Sequence, residues 1–408
     1  VADAARAAAL PLRALSGGER SRLLTDMASS IRAHEVSILD ANRRDVAAGE
    51  GLAPALRDRL ALTSARVEAM AAAVDAVATQ TDPVGRVVDG RVLANGIRLE
   101  KRRVPIGVVL VIYESRPNVT SDAAALCLRS GNAVILKGGS EAMHSNRAIV
   151  EAIRAPLRDA GLNDAVSFVD TSDRSAVTEL VRMRGVIDLA IPRGGPGLIR
   201  AVTEAALIPV VKHDAGNCHI YIDQHLAGLE DTARDIVINA KAQRPGVCNA
   251  VETVLVHRDV ADRVVPPLCR ELAAAGVEVR GDDTVQALVS GVAPATESDW
   301  DTEYLELILA MRVVDSLEDA CAHIRRHGSQ HTECIVTTSI EAADRFIARI
   351  DSANVMINCS TRFADGGEYG LGAEIGISTD KLHARGPMGA EDLTTFQWVL
   401  QGSGQTRT

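Results

Sequence analysis

A chain of 408 residues, 47% hydrophobic and 24% charged, has ample material for a packed core and is too long for a single one; a largely disordered chain is excluded, and two or three domains are expected. A net charge of −10 and an aromatic fraction of 2% leave neither the basic stripe nor the stacking platforms that nucleic-acid binding needs, so no nucleic-acid partner is expected. The longest apolar run, Val104 to Tyr113, is far shorter than the roughly 20 residues that span a bilayer, so no membrane association is expected.

Ser16 and Glu19 stand in capping-box spacing, and Leu23, Leu24, Met27 and Ile31 recur at helical intervals, which predicts an amphipathic helix over 16–48. A second helical stretch follows over about 54–79. Alternation around Asn95-Gly96 predicts a β-hairpin. From Val104 apolar runs alternate with helical segments: IGVVLVIY, 120–130, AVILK, 143–160, VSFVD, 173–184, DLAIP and 196–205. Repeated βα units imply a parallel sheet covered by helices. A second α/β stretch starts near Asp231, with a helix to Gln243, the strand VETVLVH, and then MRVVDS, a helix from Leu317 to His327, ECIVTT and NVMIN. The glycine-rich segment from Phe363 to Gly389 has the length of loops that line sites or join domains. TTFQWVL reads as a last strand. This strand and the hairpin are candidates for an intersubunit sheet, or else for a surface ribbon within one subunit.

Seven scattered cysteines without a C-x-x-C pair predict free thiols in a reducing compartment, the cytoplasm. A lone cysteine is most often inert and buried. Cys248 differs because QRPGVCNAVET presents it on a Pro-Gly turn at an element boundary beside Arg244, a setting that favours thiolate. Asn118, in VIYESRPNVT with Arg116, either caps a helix or donates to a developing oxyanion. Lys137, Gly138, Gly139 and Ser140 end one strand, where the lysine and serine could hold a ribose or its 2′-phosphate; the plainer reading is a βα turn. Arg193, Gly194 and Gly195 end another such strand. Neither matches G-x-G-x-x-G or the P-loop. Lys381, His383 and Arg385 make one loop basic, facing either an anionic substrate or solvent. Gly328 separates His327 from His331 and no H-E-x-x-H is present, so no metal site is expected; a structural or substrate-contact role is open to His331.

Taken in order, PIGVV, Asn118, Lys137, the R-G-G turn and Cys248 resemble the functional segments of aldehyde dehydrogenases over nearly the whole chain. Within that superfamily, VIYESRPNVT, IPRGGPGL, NAKAQRPGVCNAVET, AHIRRHGSQHTECI and GLGAEIGISTDKLHARGPMG resemble the gamma-glutamyl phosphate reductases in particular. The resemblance implies an α/β fold of two Rossmann-like parallel-sheet domains plus a small β element for oligomerisation. An NADPH-binding domain would span 1–230 with part of 386–408, a catalytic domain 231–385, and the oligomerisation element 87–104 and 393–402.

It also implies reduction of L-glutamyl 5-phosphate by NADPH, in proline biosynthesis, through a thioester on Cys248. Asn118 and the Cys248 backbone N–H would hold the oxyanion. Lys137, Gly138, Gly139 and Ser140 would contact the adenosine ribose, with Lys137 selecting NADPH, and Arg193, Gly194 and Gly195 would lie near the pyrophosphate. Glu303, with Glu306 as an alternative, would reach the nicotinamide ribose; Arg116, Arg244, His331, Lys381 and Arg385 are the candidate substrate contacts. A homo-oligomer, dimer or tetramer, is expected, and the upstream glutamate kinase is a candidate partner. Hydrolytic aldehyde dehydrogenases keep a water-activating glutamate where this chain has VVKHDAGNCHI, with Lys212 and no glutamate. The competing readings are a coenzyme A-dependent acylating dehydrogenase and a noncatalytic NADP-binding protein.

Overall fold

The computed structural model describes residues 1–52, 54–212 and 215–407, and divides into two compact units. The first comprises residues 1–212, 370–376 and 382–408, the second residues 213–369 and 377–381. The second opens well before 231 because Cys218–Ile222, not recognised as a strand in the sequence, pairs within the second sheet. Residues 382–385 fall in the first unit.

The first unit holds a four-stranded parallel sheet in the order Val166–Phe168, Ala133–Gly138, Val108–Tyr113, Leu189–Arg193. Strands Val108–Tyr113 and Ala133–Gly138 are buried along their whole length, as continuous apolar runs in a two-sided sheet require. With so few aromatics, the covering helices pack through small residues: Asn118–Arg129 buries Ala123, Ala124 and Ala125. The chain runs outward from Val108–Tyr113 over two strands and returns beside it as Leu189–Arg193. The strand order therefore reverses between these two, and a switch point of this kind opens a ligand crevice at the strands' carboxyl ends.

The capping box at Ser16 and Glu19 is formed, but the expected helix over 16–48 is two, Gly17–Ala33 and Glu35–Ala48. His34, with φ −97° and ψ 9°, leaves helical geometry between them. An Ala-rich helix, Ala2–Ala14, precedes them. The hairpin forms as Val87–Val92 and Arg98–Pro105, its turn closed by the Leu93 N–H donating to Ile97 O (2.8 Å) with Gly96 at φ 83°. Thr394–Gln401 adds to it antiparallel, giving a separate three-stranded sheet.

The second unit is built on seven parallel strands in the order Ala293–Pro294, Glu278–Gly281, Ile308–Val314, Val251–His257, Cys218–Ile222, Thr332–Val336, Asn354–Ile357. Its core is again aliphatic, led by Ile220, Val254, Leu268 and Met311. No helix of the described residues is long and apolar enough to cross a membrane.

Candidate active site

Cys248 lies between the helix Glu230–Ala242 and the strand Val251–His257, in a turn closed by the Ala250 N–H donating to Val247 O (3.0 Å). Cys248 thus sits at the amino ends of the second sheet's strands. It is partly exposed, and no disulfide joins any of the seven cysteines. Burial pushes the other six thiols up, Cys269 and Cys321 to about 11 and Cys334 to about 12, which keeps them protonated and inert.

The turn is held on several sides. A Cβ on Gly216 would stand 2.0 Å from the Cys248 carbonyl oxygen, so only glycine allows the two backbones to lie against each other. The Cys218 thiol donates to that same carbonyl (3.2 Å). Asn249 donates to Ala364 O (2.9 Å) and accepts from the Arg362 guanidinium, whose Nε donates to Gln243 (3.0 Å). Lys241 and Glu252, both wholly buried, form an ion pair of 2.5 Å across the base of the loop. Arg362 and Cys218 escaped notice in the sequence because each sits in a segment whose relation to Cys248 exists only after folding.

The expected substrate contacts separate. Arg244 is exposed beside Cys248, but the cation fixed to its turn is Arg362. His331 is fully buried, with Nδ1 2.8 Å from Thr332 Oγ1 and 3.7 Å from Cys218 Sγ. Lys381 pairs with Asp351 at the surface. Arg116 and Arg385, both half-buried, belong to the first unit. Of the two glutamates, Glu303 is half-buried and acts electrostatically on Cys218, Lys241 and Glu252, whereas Glu306 is exposed.

In the first unit Asn118 is not a cap. It is the first residue of its helix, Pro117 precedes it as cap residue, and its amide donates to Asp122 (2.9 Å) one turn on. Burial pushes the Asp122 carboxyl up to about 7, against the Asn118 hydrogen bond and the Arg193 charge. Lys137 is buried, and its ammonium folds back to donate to Gly138 O (2.9 Å). The space above Gly138 is taken by Asn146, whose Nδ2 would stand 2.1 Å from an added Cβ; Ser140 is exposed. At the switch point, the turn of Arg193, Gly194 and Gly195 opens the helix Pro196–Ala205, and the Glu114 carboxylate accepts from the Gly195 N–H (2.9 Å). A Cβ on Gly194 would meet that carboxylate at 2.4 Å. The anion site expected to face a pyrophosphate is therefore filled by an internal anion, which the sequence did not suggest.

The model of the aldehyde dehydrogenase family matches residues 1–293. A gamma-glutamyl phosphate reductase of Moorella thermoacetica is 52% identical over 99% of this chain and 97% of its own, and one of Thermobifida fusca 51% identical over 100% and 98%. The chain belongs to the gamma-glutamyl phosphate reductase family, within the aldehyde dehydrogenases. The crystal structure of the gamma-glutamyl phosphate reductase of Thermotoga maritima, 44% identical, superposes with a TM-score of 0.97 over 100% of this chain and 99% of that one. An acetylating aldehyde dehydrogenase of Geobacillus thermoglucosidasius, 16% identical at a TM-score of 0.70, shares the fold. Within this family the described residues contain no group of three or more His, Cys, Asp or Glu able to hold a metal ion. Of the VVKHDAGNCHI stretch, His213 and Asp214 lie outside the described residues.

Proposed function

We propose that this chain reduces L-glutamyl 5-phosphate to L-glutamate 5-semialdehyde at the expense of NADPH, releasing phosphate, as a step of proline biosynthesis in the cytoplasm. The observation that carries the reading is Cys248: a partly exposed thiol on a turn clamped by Gly216, Cys218 and Asn249. The Cys248 thiolate attacks the acyl carbon; the C–O bond to phosphate breaks, its electron pair leaves with the phosphate, and a thioester remains. The amide of Asn118 and the Cys248 backbone N–H donate to the oxyanion that forms on the way. NADPH, when bound, supplies the hydride that reduces the thioester. Collapse of the reduced adduct returns the electron pair of the C–S bond to Cys248 and frees the aldehyde. A clamped turn contributes by holding sulfur at attack distance, where misplacement by about 1 Å costs about a hundredfold in rate.

The residues at the first sheet's switch point suit a dinucleotide: a helix N-terminus, two adjacent glycines and Arg193 converge there, provided Glu114 yields its place. Lys137 would then recognise the 2′-phosphate, Gly138, Gly139 and Ser140 would line the adenosine ribose, and Glu303 would hold the nicotinamide ribose. Arg116, Arg244, Arg385 and the loop of Lys381 are the proposed anion holders for substrate. Phe396, Trp398 and Leu400, exposed on one face of an edge strand, support a homo-oligomer.

The test runs the reaction backward. With glutamate semialdehyde and NADP, reduction of NADP should require inorganic phosphate, accept arsenate in its place and ignore coenzyme A. Sustained turnover without phosphate means that water resolves the thioester and makes the enzyme a hydrolytic dehydrogenase; dependence on coenzyme A makes it an acylating one.

A further inference from the structure

Lys241 lies in the last turn of one helix and Glu252 is the second residue of the next strand, so their pairing closes the loop 243–250 that carries Cys248. The pair reaches a second segment as well. The other oxygen of Glu252 accepts from the Leu305 N–H (3.4 Å), and Leu305 holds φ 56°, a left-handed conformation that a branched side chain adopts only at a cost. The Lys241 ammonium lies 5.8 Å from the centre of the Tyr304 ring. That ring has further holds: its hydroxyl donates to Asp299 (2.7 Å), which also takes Arg280 (2.7 Å), and the Arg280 guanidinium lies 5.3 Å from the ring centre. Residues 304 and 305 follow directly on Glu303.

We propose that the buried Lys241–Glu252 pair is a positioning device that fixes two parts of the active site at once, the turn of Cys248 and the loop of Glu303. The proposal rests on the roles given above to those two residues. Stability alone does not account for the pair. Both side chains are wholly removed from water, and the cost of stripping two charges of solvent commonly cancels their attraction, so a hydrophobic pair of equal volume often serves stability as well or better. The desolvation is visible in the pair itself, as burial pushes Glu252 up to about 7 and Lys241 down. What two hydrophobic side chains cannot do is bind a helix end, a strand start and the Leu305 N–H in one fixed geometry. Placement is the property that only the charged pair supplies.

Two variants separate placement from packing. Lys241→Met/Glu252→Leu removes both charges at similar volume; Glu252→Gln keeps the shape and the acceptor for Leu305 but removes the negative charge. Melting temperature, NADPH affinity by fluorescence titration, and the rate of Cys248 alkylation by iodoacetamide are measured on each. The double variant should melt within a few degrees of the wild type, bind NADPH about tenfold more weakly and show a Cys248 alkylation rate changed by about tenfold, with Glu252→Gln moving both in the same directions by less. A double variant that is folded and stays within twofold of wild type in either readout overturns the proposal, because the two segments are then not held together. If the double variant does not fold, wild-type values for Glu252→Gln in both readouts overturn it equally. Wild-type protein that fails to bind NADPH, or that keeps its activity after Cys248 is alkylated, sinks the underlying functional reading instead.

Discussion

Replacing Gly216 with alanine tests the clamp on Cys248 most directly. The new methyl would stand 2.0 Å from the Cys248 carbonyl oxygen and 2.6 Å from its Cα, where ordinary contact begins at 3.4 Å. The two backbones must therefore part by about 1.4 Å, the difference between 3.4 Å and 2.0 Å. The Gly216 side yields poorly, because Asn217 donates to both Trp300 O and His327 O at 2.8 Å. Most of the shift falls on Cys248. A displacement of about 1 Å at a reacting atom costs about a hundredfold in rate, or about 2.7 kcal/mol of barrier, while overpacking costs about 1–3 kcal/mol of stability. Initial rates in the phosphate-dependent reverse assay, with the melting temperature followed by circular dichroism, separate the two. A folded Gly216→Ala protein with kcat within threefold of wild type would refute the reasoning.

The parallel sheet of the first unit was legible because strands buried on both faces write continuous apolar runs, as IGVVLVIY and AVILK do. CHIYI was not, since a five-residue run that opens with Cys-His carries no such signal, and so the boundary of the second unit was placed late. Cys248 was legible because its turn chemistry is local in sequence. Its supports were not: Gly216 and Cys218, Glu252, and Arg362 act on it from three segments, and only pairing of strands 218–222 and 251–257 brings Gly216 and Cys218 near. Glu114 was overlooked for a related reason. A carboxylate following a buried strand says nothing of the N–H it will meet 81 residues later.

Cys248→Ala should abolish turnover and leave NADPH binding intact, whereas alanine at any of the six buried or half-buried thiols should leave measurable activity; a second equally lethal cysteine would count against the assignment. Glu114→Gln should tighten NADPH binding by about two- to fivefold, the value of an anion at a helix N-terminus, and an unchanged or weaker affinity in titration would mean that no phosphate goes there. Lys137→Ala should weaken NADPH more than NADH, and an equal loss for both would remove the 2′-phosphate role. The last prediction concerns acid. His323 is buried against Trp300, His219 and His327, with the Arg312 guanidinium at its Nδ1 (3.3 Å) and Arg326 nearby, and burial first, then these charges, depress it from 6.5 to about 2. A histidine kept neutral in the folded state takes up its proton on unfolding, so the folded state binds fewer protons between those values. Its contribution is complete above pH 6.5 and is lost as pH falls below, by at most about 1.4 kcal/mol per pH unit for one proton. In urea unfolding at a series of pH values from 7 to 5, His323→Gln should gain stability relative to the wild type as pH falls, whatever the raised carboxyls of Asp122 and Glu252 add to both proteins; parallel pH dependences would place the proton elsewhere in the cluster.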